Sequence, residues 1–419
     1  MEQSPSLEAF VADARRWLDD HAERRVETEG EAAWGSGEFS VSVFHALSAD
    51  DEQAVVERAQ AWTMAKAEAG YHAIAWPVEY GGLGLPGSFA RAFGRLEREY
   101  VTPTGHEVHS VTTRLIAPTI HALGNDEQKA SLVPRFLAAR EMCCQLFSEP
   151  GAGSDLAALG CRAVRVGEEW IVNGQKVWSS GAQFSTWGEL IARSDPDAPK
   201  HRGMTAFVIP LNLPGIEIRP IKQMSGGSSF NEVFFTDVRV PDTMRVGAEG
   251  DGWRVALTTL GFERDHSDDG AASSKVGGSW RQLLGTARAM GVTGDAVVRQ
   301  RLAAMYTHQM VEGFVNRRAA DLRRAGQAAG PEGSLGKLLW TEGMRMMSDV
   351  VSQVLGAALV ADTGEWGTYA WGEHVLGAPG YRIAGGSDEV QRNIIGERVL
   401  GLPAEPRVDR DVPWKDVAR

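Results

Sequence analysis

The spacing of apolar residues divides the chain into three textures. Over residues 1–140 apolar positions recur every three or four residues, which predicts amphipathic helices. Leu7, Phe10, Ala14, Trp17 and Leu18 mark one helix. Val55, Ala59, Trp62 and Ala69 mark another, which stops at Gly70. The turn-rich stretch WPVEYGGLGLPG at 76–87 interrupts the pattern. Helical spacing resumes through Phe89, Phe93 and Leu96, and again at Leu132, Phe136 and Leu137. Near residue 142 the period changes. Alternation over 161–177, CRAVRVGEEWIVNGQKV, predicts strands, with Asn173-Gly174 as a hairpin turn. Residues 205–210, 216–218 and 233–240 predict further strands. From Trp253 the period is helical again, over 253–264, 279–291, 295–325, 334–361 and 387–399. The small polar stretch 265–278 reads as a mobile loop and 405–419 as a loose tail. The order predicts an α+β fold: an N-terminal helical domain (1–141), a central β domain (142–246) and a C-terminal helical bundle (247–404).

Composition narrows the function. Hydrophobic residues are 43% of 419, ordinary globular usage, which excludes a mainly disordered or collagen-like chain. Lys plus Arg is 43 and Asp plus Glu is 55, a net charge of −12, so the chain is a poor bulk binder of nucleic acid. Cys143, Cys144 and Cys161 form no disulfide framework and lack metal-ligand spacing; they read as core. The N-terminus, MEQSPSLEAFVADARRW, has no apolar run, and no stretch of about 18 apolar residues occurs, so no membrane span and a cytoplasmic location are expected. Gly82-Leu-Gly84-Leu-Pro-Gly87 matches a dinucleotide fingerprint, but Pro86 and the missing βαβ pattern make it a tight loop. His106-Glu107-Val108-His109 falls one residue short of a zinc motif and no third ligand stands out, so no metal is expected. No G-x-S-x-G elbow is present.

The informative segment is 146–155, Leu-Phe-Ser-Glu-Pro-Gly-Ala-Gly-Ser-Asp. Small residues around a proline let backbone approach a ligand closely, and freed N–H groups bind anions. By itself the segment reads equally well as a surface turn. It is followed by NGQKVWSSGA at 173–182 and FNEVFFTDVRVP at 230–241. WPVEYGG at 76–82, DEQKASLVPRFL at 126–137, QVLG at 353–356 and GGSDEVQRNIIGERVLGLP at 385–403 join them. Together, in this order and over nearly the whole chain, they resemble the acyl-CoA dehydrogenase family.

That resemblance implies a helical domain, a β domain and a C-terminal four-helix bundle, with FAD between the last two and reaching a neighbouring subunit. It implies α,β-dehydrogenation of an acyl-CoA, in which a base takes the α-proton and the β-hydrogen leaves as hydride to flavin N5. Electrons then pass to an electron-transfer flavoprotein or a similar acceptor. Phe147 and Ser148 would lie along the flavin, and Ser154 would meet the FAD pyrophosphate or the CoA arm. Trp178 and Ser180 match the second flavin contact. Gln353 and Gly356 match the stretch that holds the adenosine half of FAD from a partner, and Ser387 and Glu389 stand where the family has residues near FAD. Gly386 and Arg264 would contact the substrate.

The base is a departure. Many members place a glutamate where this chain has Gly385, and Ala384 does not replace it. The branch typified by isovaleryl-CoA and long-chain enzymes uses Leu-x-x-Glu-Arg instead, and Leu260-Gly-Phe-Glu263-Arg264 matches. Glu263 is the expected base. Gly261 replaces a common aspartate, Ala357 a common glycine, and 281–302 lacks the usual Arg-x-x-Phe-Gly. The register of Glu263 points to a branched, long or steroid-derived acyl chain. A dimer or tetramer is implied. So is an alternative, a half-competent subunit of a heteromer with a second acyl-CoA dehydrogenase-like chain; a flavin-dependent oxidase is the other alternative.

Overall fold

The structure, a computed structural model, describes residues 5–26, 34, 40–44, 46–263, 276–326, 330–363 and 367–417, without the side chains of residues 263, 323 and 324. The first layer contains α1 (Leu7–His21), α2 (Ala49–Glu68), α3 (Gly87–Glu97), α4 (Glu107–Ser110), α5 (Ala117–Leu123) and α6 (Asp126–Leu137). Several start where the sequence offers a side-chain cap. The Ser6 side chain accepts from Ala9 N–H and that of Ser48 from Asp51 N–H. Asn125 and Gln128 cap α6 reciprocally. A π-helical stretch, Val111–Ile116, joins α4 to α5. Short strands β1 (Glu23–Arg24) and β2 (Tyr100–Val101) pair outside the main sheet. Pro86 occupies the N-cap position of α3, and residues 82–86 form the loop that leads into it.

The central sheet contains β3 (Cys143–Leu146), β4 (Arg162–Val166), β5 (Glu169–Ser180), β6 (Trp187–Arg193), β7 (Met204–Pro210), β8 (Ile216–Ile221), β9 (Phe230–Pro241) and β10 (Arg245–Val246). The strand order is β10-β7-β6-β4-β5-β9-β8, with β3 parallel to β6. Alternate residues of β6 serve two cores. Leu190 and Ala192 face the interior of the β domain, while Ile191 packs with Ile116, Phe136 and Val255 of the helices.

One strand expectation is corrected. The hairpin between β4 and β5 turns at Gly167, φ +64°, and not at Asn173-Gly174. Asn173 and Gly174 lie inside β5, at a register shift against β9. The Asn173 side chain donates to Asp237 Oδ1 at 3.0 Å and accepts from Asp237 N–H at 2.9 Å. A Cβ at Gly174 would lie 2.7 Å from the Cys161 backbone. Asn-Gly here marks a bulge and a close approach rather than a turn.

The last layer contains α7 (Gly252–Glu263), α8 (Trp280–Ala289), α9 (Ala296–Arg324), α10 (Gly333–Leu355), α11 (Ala370–Ile383) and α12 (Asp388–Ile394). Helix α11 has no counterpart in the sequence reading, because Gly372, Gly377, Pro379 and Gly380 are poor helix formers. Packing reverses that preference. A Cβ at Gly377 would lie 2.8 Å from Val43, and one at Gly380 2.5 Å from the Phe44 ring. The two glycines make room for the 41–44 segment. The expected loop 265–278 lies outside the described residues up to 275. The end of the chain is not loose. Trp414 Nε1 donates to Ala158 O at 3.1 Å, Arg193 stacks 5.0 Å from the Trp414 ring, and Lys200 pairs with both Asp155 and Asp409.

Candidate active site

The corner where β3 ends beside β5 holds a buried charge pair. Lys176 on β5 is fully buried; its Nζ donates to Phe147 O at 2.9 Å and to Glu149 Oε1 at 2.8 Å. Glu149 also accepts from Gly160 N–H at 2.7 Å and Cys161 N–H at 2.8 Å. Ser148 O accepts from Val177 N–H at 2.9 Å, and Glu149 and Ala152 exchange backbone bonds across the Pro150-Gly151 turn. With its partners supplied, a buried charge is tolerated, and it holds the loop in one shape. Phe147 is thereby buried, Ser148 half-buried, and Ser154 exposed on the turn beyond.

Two residues further along β5, Trp178 stands out. Its φ is +62°, in the left-handed region, and its side chain is 58% exposed. A bulky residue pays strain there, so the conformation is imposed by its surroundings. The register with β9 shifts between Lys176 and Ser179, which turns the indole out of the sheet. The ring meets Phe230 edge-on, centroids 6.1 Å apart. Phe230 meets Phe44 at 5.3 Å, and Phe44 stacks on Tyr381 of α11 at 5.0 Å, so an aromatic row links sheet to bundle.

Polar groups gather beside this bulge. Ser179 Oγ, Ser225 Oγ, Ser229 Oγ and Asn231 Oδ1 are buried without a protein partner, and Asn231 pairs with Ser179 across β5–β9. Ser180, half-buried, stands beside the carboxylate of Glu107 at the start of α4. The surrounding protein pushes the Glu107 pKa up, while nearby His106 and Ser180 pull it back. Glu107 escaped the sequence reading, which weighed it only inside the His106–His109 zinc pattern. In the fold His106 Nε2 faces Glu52 at 3.0 Å and His109 meets Thr63 at 2.8 Å, so the two histidines serve different partners.

The bundle candidates fall at the end of α10, the start of α12 and the end of α7. Gln353 and Gly356 are exposed at the end of α10. Ser387 caps α12, accepting from Val390 N–H at 3.3 Å. Gly386, φ +83°, offers its carbonyl to Lys337 Nζ at 2.7 Å. Glu389 is exposed. Glu263 ends α7 with its side chain outside the described residues, and Arg264 lies outside them altogether. A hollow of about 410 Å³ opens beside the first turns of α7, lined by His201, Arg202, Asp251, Trp253, Arg254 and Leu257.

Comparison with known proteins decides the family. Models of the acyl-CoA dehydrogenase N-terminal, middle and C-terminal domains match residues 4–140, 144–238 and 250–400. The chain belongs to the acyl-CoA dehydrogenase family. Its similarity to "Acyl-CoA dehydrogenase IpdE1" of Mycolicibacterium smegmatis is 35% identity over 411 residues, covering 95% of this chain and 98% of that protein. "Acyl-CoA dehydrogenase FadE34" of Mycobacterium tuberculosis is 37% identical over 341 residues, 81% of this chain and 46% of that longer protein. The solved "ChsE4-ChsE5 complex from Mycobacterium tuberculosis" is similar in fold, with TM-score 0.68, 26% identity and coverage of 97% of this chain and 100% of that one. A structure named "Tcur3481-Tcur3483 steroid ACAD" gives 0.72 at 25% identity, covering 97% and 100%.

This acyl-CoA dehydrogenase is therefore an oxidoreductase, with the three-layer architecture of its family and the flavin chemistry that the family implies. The β5 corner fits a flavin: an exposed indole beside orphaned polar atoms suits a planar group with a polar edge. Among the described residues no helix is long and apolar enough to cross a membrane.

Proposed function

We propose that this acyl-CoA dehydrogenase oxidises the α,β bond of a bulky acyl-CoA, branched or steroid-derived, with FAD as cofactor. The observation that carries the reading is Trp178, a strained and exposed indole edge-on to Phe230 and two residues before Ser180 on the same strand. FAD would be held by Phe147, Ser148, Ser154, Trp178 and Ser180, and by Gln353, Gly356, Ser387 and Glu389 across a subunit boundary. When bound, it supplies the hydride acceptor. The protein's own part is to place a base and exclude water. Glu263, at the end of α7, takes the α-proton as a carboxylate. Arg264 and Gly386 steady the thioester and the CoA arm. The hollow beside Trp253 offers cations and an aromatic face to an anionic nucleotide tail. The domain limits are 1–141, 142–246 and 247–404. The steroid-derived class rests on the similarity to relatives named for steroids.

A second reading concerns assembly. Tyr306, Met310 and Phe314 lie four residues apart on one face of α9 and are exposed. Gln353 is exposed as well. Both suit a partner chain, either a second copy or a different acyl-CoA dehydrogenase-like subunit, and two similar solved structures are named as two-protein complexes.

The test is the visible spectrum of the purified chain before and after straight, branched and steroid-derived acyl-CoA thioesters, with Glu263→Gln beside it. A yellow wild type that bleaches, with Glu263→Gln staying oxidised, supports the reading. Colourless wild type points to a partner-dependent FAD site. Equal bleaching of both proteins removes Glu263 from its role, and peroxide release would make the enzyme an oxidase.

A further inference from the structure

The core between sheet and helices holds a buried acid. Glu189, on β6, is 2% exposed. Its Oε1 accepts from Thr259 Oγ1 of α7 at 2.7 Å, and Thr259 meets Thr119 Oγ1 of α5 at 3.0 Å. Its Oε2 has no protein partner. One acid thus ties together elements from all three layers. Among the described residues no cation is paired with it. Its cross-strand neighbours are Gln145 on β3 and Val208 on β7, while α5 and α7 present Thr119 and Thr259. The titratable group beside it is the Cys143 thiol, itself pushed up by burial. Apolar surroundings favour the neutral acid, and burial pushes Glu189 up to about 8.

Thr259 precedes Glu263 by four residues, one helical turn along the same face. Thr259 is fully buried, as are Val255 and Ala256 beside it, so this stretch of α7 is fixed in the core. Beyond Glu263 no described residue follows until 276. The hydrogen bond to Glu189 is a polar tether between α7 and the sheet one helical turn before that glutamate.

We propose that Glu189 is a positioning residue, whose bond with Thr259 pins α7 to β6 and sets where the helix presents Glu263. The proposal rests on the reading of Glu263 as the base. Ionisation of Glu189 would place an uncompensated charge between sheet and helix and loosen the pin. Glu189→Gln keeps an acceptor for Thr259 and cannot ionise. Thr259→Val keeps the shape and removes the donor.

The test compares the full-length wild type with Glu189→Gln and Thr259→Val at pH 7 and pH 9. Amide hydrogen exchange over residues 252–263 reads the pin directly. Flavin bleaching reads its consequence, with the acyl-CoA that bleaches wild type fastest. Exchange in α7 of the wild type, relative to Glu189→Gln at the same pH, should speed up several-fold at pH 9. Thr259→Val should show fast exchange at both pH values. Bleaching should fall on the order of tenfold in Thr259→Val with substrate affinity little changed, since misplacing a catalytic group slows the chemical step. Glu189→Gln should stay within about threefold of wild type at pH 7 and lose less rate at pH 9. Identical exchange in all three proteins overturns the pin. Altered exchange with unchanged bleaching overturns the positioning role. If no thioester bleaches wild type, the function reading fails, while exchange still decides the pin.

Discussion

At the β3–β5 corner, Phe147, Ser148, Trp178 and Ser180 sit within one hydrogen-bonded unit closed by the Lys176–Glu149 pair. In the bundle, Gln353 and Gly356 at the end of α10 and Glu389 at the start of α12 face solvent. The first region is complete within a single chain, because its loop satisfies its own backbone groups. The second presents Gln353 and Glu389 exposed among the described residues. On the proposed reading, the contrast teaches that the sheet supplies its part of the site from one chain, while the bundle edge suits a part shared with another chain.

The strongest way to break this comparison is through the base. Glu263→Gln should slow flavin reduction on the order of 10³-fold in stopped flow, since a positioned base contributes about 10² to 10⁴. A smaller loss would move the chemistry to another carboxylate, and Glu107 beside Ser180 is the next to test. Lys176→Met should destabilise by about 3–5 kcal/mol in denaturant titration, because it leaves Glu149 buried with its partner gone. Unchanged stability would mean the corner is not held by this pair.

A pH effect comes next. The folded chain keeps the Glu189 proton up to about pH 8, whereas the unfolded chain releases it near the ordinary carboxylate range. Stability should therefore fall as pH rises between about 4.5 and 8, by about 1.4 kcal/mol per pH unit at most from this group. Glu189→Gln should lack that slope, and equal slopes in both proteins would count against a buried proton. Trp178→Gly should stabilise the chain by about 1 kcal/mol by relieving the positive φ, yet weaken flavin retention on gel filtration. If flavin is kept, the indole is not part of its site. Trp414→Ala should have the smallest effect, about 1 kcal/mol, with faster proteolysis of residues 405–417. It sharpens the contrast by testing whether the chain end supports the Asp155 loop that Lys200 bridges to Asp409.

Much of the layout was legible because periodicity reports burial directly. The helices α1, α2 and α7 to α10 follow their apolar spacing, and β9 follows its alternation. The misreadings share a cause. Asn173-Gly174 has turn chemistry, but Cys161 presses on Gly174 from a neighbouring strand, and no local rule sees that contact. The glycines of α11 look like breakers until Val43 and Phe44, more than 300 residues earlier, fill the space they leave. Glu107 belonged to a failed metal pattern, and its link to Ser180 exists only once α4 lies over β5.

From residue order alone came the three-layer arrangement, the flavoprotein family resemblance and the candidates Phe147, Trp178, Ser180 and Glu263, since these rest on short segments whose spacing is local. Tertiary structure decided which of them share a corner, which stand open at an edge, and how Lys176, Glu149 and Glu189 are buried. The reason is physical: a charge survives in a core only where distant strands and helices supply its partners or its proton, and those distances are set by packing.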